Sequence, residues 1–127
     1  MTIKNVPDES REITLRRWRV TEIEAPDGTR SRHVWGHDVK CDRGRASSPI
    51  IEFNHETMIA ISRSGSNYKL VGLPGNSRLG KGAWSRWCRH NAFVSEVDVT
   101  NEYLNIDQLS TVDLTKINTT VNQSDDL

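Results

Sequence analysis

At 127 residues the chain has room for one domain and one modest core, which excludes a dinucleotide-binding half joined to a substrate domain and excludes a full α/β barrel. Hydrophobic residues make up 35% of it, and no run approaches the roughly 18 apolar residues of a membrane span or the apolar stretch of a secretory signal, so a cytoplasmic protein with no membrane partner is expected. Formal net charge is zero, yet the charges are segregated: residues 11–90 hold 15 Lys and Arg against 8 Asp and Glu, a balance of +7, while residues 91–127 hold one Lys against 7 acids, a balance of −6.

Residues 1–11 are polar, include Pro7, and read as a flexible N-terminal arm. Residues 13–24 mix Ile13, Leu15, Trp18, Val20 and Ile23 with arginines, and the β-branched content favours a strand. Its two halves alternate in opposite phase, which a bulge near Arg16–Arg17 reconciles. Pro26-Asp27-Gly28 supplies the φ values of a tight turn. The next run places His33, Trp35, His37, Val39 and Cys41 on one face, completing a hairpin of long strands.

Residues 42–49 read as a polar loop. Ile50–Phe53, Thr57–Arg63 and Tyr68–Leu73 are short strands separated by turn residues near 54–56 and 64–67, the pattern of a β-meander. Met58, Ala60 and Ser62 share one face of the middle strand. Residues 74–82 are rich in glycine and read as a loop. The spacing of Trp84, Trp87 and Cys88 predicts a helix within 82–92 with those three side chains toward the core. Residues 93–100 alternate as an edge strand. The division that follows is an arm at 1–11, a single β-rich domain at 12–103, and an acidic, polar tail at 104–127, loosely docked or disordered. The fold class is mainly β, an α+β arrangement: a small antiparallel barrel of five to six strands, or a strongly bent sheet, with one short C-terminal helix. Closure is expected because it removes exposed edges.

Four groups of residues invite a chemical reading. Gly75 to Gly82 matches most of a phosphate-binding loop, G-x-x-x-x-G-K, but Gly82 stands where a hydroxyl should hold Mg²⁺. The reduced version is that Arg78, Lys81 and glycine amides near a helix start hold a phosphate; the plain alternative is a solvated connection. His33, His37, Cys41, Cys88 and His90 have zinc-ligand chemistry, but His33 and His37 lie about 13 Å apart along a strand and cannot share an ion. Cys88 on the Trp face of the helix reads as a buried, inert thiol rather than a nucleophile. With no export signal, Cys41 and Cys88 read as free thiols of a reducing compartment.

The fourth group is the Arg and Trp texture. Twelve of the 17 cations are Arg, the side chain suited to bidentate contacts with phosphate. Trp18 is flanked by Arg16, Arg17 and Arg19, and Trp87 by Arg86 and Arg89. Small barrels bind single strands by stacking bases on aromatics in a basic groove; the plain alternative is that Trp35, Trp84 and Trp87 fill the core. The pieces SSPI, SRSG-x-x-Y and W-x-x-W between His33 and Trp87 resemble small proteins of proteobacterial genomes and mobile elements, a likeness that implies no particular activity.

The expectation is a non-enzymatic bacterial binding module with no cofactor and no metal. Its partner is nucleic acid, single-stranded rather than duplex, contacted through Arg16, Arg17, Trp18, Arg19, Arg78, Lys81, Arg86 and Arg89. For this to hold, the strand at 16–19 and the helix at 84–89 must share a side. The alternative is a protein-interaction module or inhibitor of the phage or mobile-element type, contacting a host protein through its acidic tail. Deleting residues 104–127 removes four Asp and one Lys, a change of +3. It should tighten nucleic-acid binding if the tail screens the basic face, and abolish a protein partnership if the tail is the contact.

Overall fold

The structure, a computed structural model, describes residues 12–105. The expected arm at 1–11 and all but the first two residues of the expected tail lie outside the described residues. Seven strands and one helix follow in order: β1 (Glu12–Glu24), β2 (Arg30–Asp38), β3 (Arg43–Ala46), β4 (Ile50–Asn54), β5 (Ile59–Ser62), β6 (Asn67–Val71), α1 (Arg78–His90) and β7 (Ser95–Asp98), with a 3-10 helix at Thr100–Tyr103.

The hairpin and the meander form where the turn chemistry requires them. Gly28 turns with φ 91° and Gly65 with φ 96°, values that an L side chain resists. β4, β5 and β6 pair antiparallel, and Met58, Ala60 and Ser62 are the buried face of the middle segment. The expected bulge in β1 is present: its register against β2 shifts between Arg16 and Arg19, and Arg17 sits at φ 51°.

That bulge gives β1 two neighbours on one edge. Its first half runs parallel to β6, with Leu15 opposite Leu70; its second half runs antiparallel to β7, with Thr21 opposite Asp98. The sheet is therefore mixed, in the order β3-β2-β1-β6-β5-β4 with β7 beside β1. It is not the antiparallel barrel expected. β4 curls back against β2, but no ladder joins them among the described residues, so the sheet is bent without being closed. The segment read as a loop at 42–49 contains β3, whose polar residues pair with β2 from Trp35–Ala46 to Asp38–Arg43.

Successive residues of β1 serve opposite faces. Leu15, Trp18 and Val20 join Val34, Met58, Tyr68 and Leu70 in the main core, which Tyr103 and Leu104 complete. Leu104 is thus part of the folded unit. Ile23 and Trp35 pack on the other face against Trp84 of α1, with Trp87, Cys88 and Phe93 at the margin. Trp84 is buried as expected; Trp87 and Cys88 are half-buried.

α1 begins at Arg78, four residues earlier than its spacing suggested. Ser77 caps it, accepting from the Gly80 amide at 3.0 Å. Gly80 and Gly82, read as loop, lie in its first turns, and Gly80 presses on β2: a Cβ there would stand 2.6 Å from the Gly36 Cα.

His33 lies at the centre of this helix-covered face, fully buried, its ring 4.4 Å from that of Trp87 and 5.6 Å from that of Trp84. Its Nδ1 donates to the Ser47 carbonyl at 2.9 Å, because a carbonyl only accepts, and Nε2 accepts from the Ser31 hydroxyl at 2.8 Å. Burial lowers the imidazole pKa from its ordinary 6.5 and Arg63 adds to the effect, while the Ser47 carbonyl pulls the other way. The folded state therefore favours neutral His33. The stability this lends is complete above about pH 6.5 and declines as pH falls from there toward the lowered folded-state value. Urea midpoints should drop between pH 7.5 and 5. Asp38 and Asp98 add their losses only lower: burial opposes their ionisation, but Arg45 and Arg19 respectively, with backbone N–H donors, hold both below the ordinary 3.8. A His33 NMR titration at or above the ordinary value would contradict this account.

Candidate functional site: the basic face of the helix

α1 carries Arg78, Lys81, Arg86 and Arg89 and no carboxylate. All four cations are exposed. Arg78, Lys81, Ser85 and Arg89 recur at i, i+3, i+7 and i+11, which aligns them along the helix crest opposite the buried Gly80 and Ala83. From Arg78 to Arg89 this crest runs roughly 16 Å. Arg86 stands to one side, where it borders a shallow recess with Arg45, Trp87 and His90.

The fold divides its cations into two groups. Arg30 and Arg32 lie against Glu22, Arg32 also reaches Glu102, and Arg45 pairs with Asp38. Arg19 belongs to this group: it pairs with Asp98 at 2.7 Å and donates to the Gly75 carbonyl at 3.1 Å. Its role in this structure is to tie β1 to β7 and to the segment leading into α1. Among the described residues, Arg16, Arg17, Arg78, Lys81, Arg86 and Arg89 make no ion pair, and neither do Lys40, Arg43, Arg63 and Lys69 elsewhere on the sheet and its turns.

The structure brings one part of the expected site, the β1 bulge, against another, the start of α1. Gly75 rests on Arg17, since a Cβ at Gly75 would meet the Arg17 Cβ at 2.9 Å, and the Ser77 amide points to the Arg17 carbonyl at 3.4 Å. The β1 bulge, with exposed Arg16 and Arg17, therefore abuts the start of α1. Trp18 does not belong there. It is fully buried in the main core, with its indole N–H on the Gly72 carbonyl at 3.2 Å, so it offers no surface on which a base could stack. The phosphate-loop reading of Gly75–Gly82 is likewise overturned: residues from Arg78 onward are helical, the Gly80 amide is used by the Ser77 cap, and Gly80 itself is sealed against Gly36.

Reasoning from the sequence missed a second feature. α1 packs over β2 and β3 rather than β1, which leaves a groove of about 540 Å³ between the helix and β7. Trp35, Trp84 and Phe93 line it, with Lys81 and Arg89 on one rim and Glu96 on the other. No local pattern marks it, because its walls come from four separate elements.

Cys88 also borders this groove. Burial pushes its thiol pKa up and the Glu96 carboxylate adds to that, the reverse of the shift that activates a nucleophile. Among the described residues no group of three or more His, Cys, Asp or Glu is placed to hold a metal ion, and no helix is long and apolar enough to cross a membrane. Comparison with protein-family models, with curated proteins and with solved structures finds no match.

Proposed function

We propose that this chain is a non-enzymatic β-rich binding module whose α1 face docks on the phosphate backbone of nucleic acid. One observation carries the reading. Four cations stand on a 13-residue helix without a single acid, and two of them, Arg78 and Lys81, occupy its first turns. There the partial positive charge of the helix N-terminus opposes them. Among the described residues no carboxylate offsets that repulsion. Stability does not explain such a placement; an external polyanion does.

Because Arg17 lies against the segment leading into α1, we take Arg16 and Arg17 as an extension of this face. With Trp18 removed from the surface, the affinity comes from phosphate contacts rather than from a stacking platform at β1. The test is binding of single-stranded and duplex DNA and RNA at 50 and 200 mM salt. Affinity should fall steeply over that interval. A second form lacking residues 106–127 belongs in the same titration; the cut starts after Asn105 because Leu104 is buried. Binding absent from both forms would defeat the proposal in favour of a protein partner.

A further inference from the structure

We propose, on the basis of that nucleic-acid reading, that the groove between α1 and β7 seats one unpaired nucleobase carrying an exocyclic amino group, with its phosphate held by Lys81 and Arg89. The groove volume of about 540 Å³ falls in the range of small-molecule sites. Its walls are aromatic: Trp35 from β2, Trp84 from α1 and Phe93 from the connection to β7. Both indole N–H groups are already used inside the protein. Trp35 donates to the Thr21 hydroxyl at 3.1 Å and Trp84 to Glu96 Oε1 at 3.1 Å. The indoles, each 6% exposed, form the apolar floor of the groove, and half-buried Phe93 supplies the ring surface on which a base stacks.

The rims carry opposite charge, and this orients the occupant. Lys81 and Arg89 make no ion pair among the described residues and attract an anion. On the β7 rim, Asp98 is engaged at both oxygens, by Arg19 at Oδ2 and by the Thr100 amide at Oδ1. Glu96 is engaged only through Oε1, by the Trp84 indole. That same bond fixes the carboxylate at the groove mouth with Oε2 left to accept. A ligand that is anionic at one end, flat and apolar in the middle and a hydrogen-bond donor at the far edge satisfies all three elements. A nucleotide has that arrangement. Cytosine, adenine and guanine present an amino group to a carboxylate, whereas uracil and thymine place the O4 acceptor where cytosine has its amino group and keep only N3–H to donate.

Cys88 lines the groove, while Cys41 is exposed on the turn between β2 and β3, so the two thiols report occupancy. The experiment alkylates the full chain with iodoacetamide and follows each cysteine by peptide mass spectrometry, alone and with CMP, UMP or ribose 5-phosphate. CMP at about ten times its dissociation constant leaves roughly one groove in ten open, so it should slow Cys88 roughly tenfold and leave Cys41 unchanged. UMP should protect less, and Glu96→Gln, which keeps an acceptor for Trp84 but adds donors, should erase the difference between CMP and UMP. Equal protection by CMP and ribose 5-phosphate would reduce the groove to an anion site and overturn the base seat. So would an unprotected Cys88. The salt dependence of polynucleotide binding by the unaltered chain reads the phosphate face separately. Steep dependence with an unprotected Cys88 overturns the base seat alone, and absence of both overturns the parent reading with it.

Discussion

Replacing Gly44 with alanine is expected to detach α1 from the sheet and abolish the cooperative fold, although Gly44 is a partly exposed residue of a short polar strand. A Cβ at this position would stand 1.8 Å from the Leu79 carbonyl oxygen and 2.3 Å from its carbon. Those atoms belong to the first turn of the helix, so no side-chain rotamer relieves the clash; the helix must lift. Overfilling a well-packed interior costs about 1–3 kcal/mol when side chains can adjust, and a backbone obstacle should exceed that, against a total stability of about 5–15 kcal/mol for such a domain. Lifting α1 also uncovers Trp84 and His33. Gly82 supplies the contrasting control. It lies in the same helix, and a Cβ there meets nothing within 4 Å, so Gly82→Ala should stabilise by roughly 0.5–1 kcal/mol through helix propensity. Urea melts of the two variants should move in opposite directions. A Gly44→Ala protein with a native midpoint would show that the helix does not press on β3 as described.

These glycines also show where the sequence is a poor guide. Gly80 and Gly82 weaken a helix signal, and read alone they make residues 74–82 look like a loop. Gly80 is there because Gly36 faces it across an interface that no Cβ fits. Such a requirement is visible only once the two elements are together. Local patterns did locate what local forces fix: the Pro26-Asp27-Gly28 turn, the β4–β6 meander, the phase change in β1, and an edge strand within 93–100, which the structure confines to Ser95–Asp98. The parallel pairing of β1 with β6 was not legible, because the connection between them is the rest of the sheet rather than a crossover helix, and hydrophobic alternation carries no strand direction. β3 was missed because Arg43, Gly44 and Arg45 carry no apolar face; what holds them is the ladder to β2 and the Asp38–Arg45 ion pair at 3.0 Å.

The candidate site divides along the same line. The α1 cations were legible because they follow one another in sequence. Trp18 was misassigned because arginines surround it in sequence, while the bulge at Arg17 turns the indole to the opposite side of the sheet from the helix. Arg19 was misassigned because Asp98, its partner, lies 79 residues away. The groove was invisible for a related reason: Trp35, Trp84 and Glu96 meet only after β7 has added to β1.

Truncating Arg78, Lys81, Arg86 and Arg89 together to alanine should remove most nucleic-acid affinity and flatten its salt dependence. Removing one phosphate-neutralising cation lowers the slope of log K against log salt by about 0.9 on duplex and about 0.7 on single strands, so four together should lower it by roughly 3 to 4 units. Arg30→Ala is the control. Arg30 is exposed but lies on the β1–β2 hairpin beside Glu22 and Glu24, and its loss should leave the slope where it was. The paired variant Arg78→Ala/Lys81→Ala separates function from structure. These two cations oppose the helix dipole, and alanine is the better helix former, so the melting temperature should hold or rise while binding falls. Arg89 sits in the last turn, where the dipole favours a cation, so its removal should cost about 0.3–1 kcal/mol as well as affinity. Loss of binding with a gain in stability is the combination expected of residues held in place for a partner. A paired variant that melts lower and binds as before would show that Arg78 and Lys81 serve the fold, and the basic face would lose its claim to be the functional one.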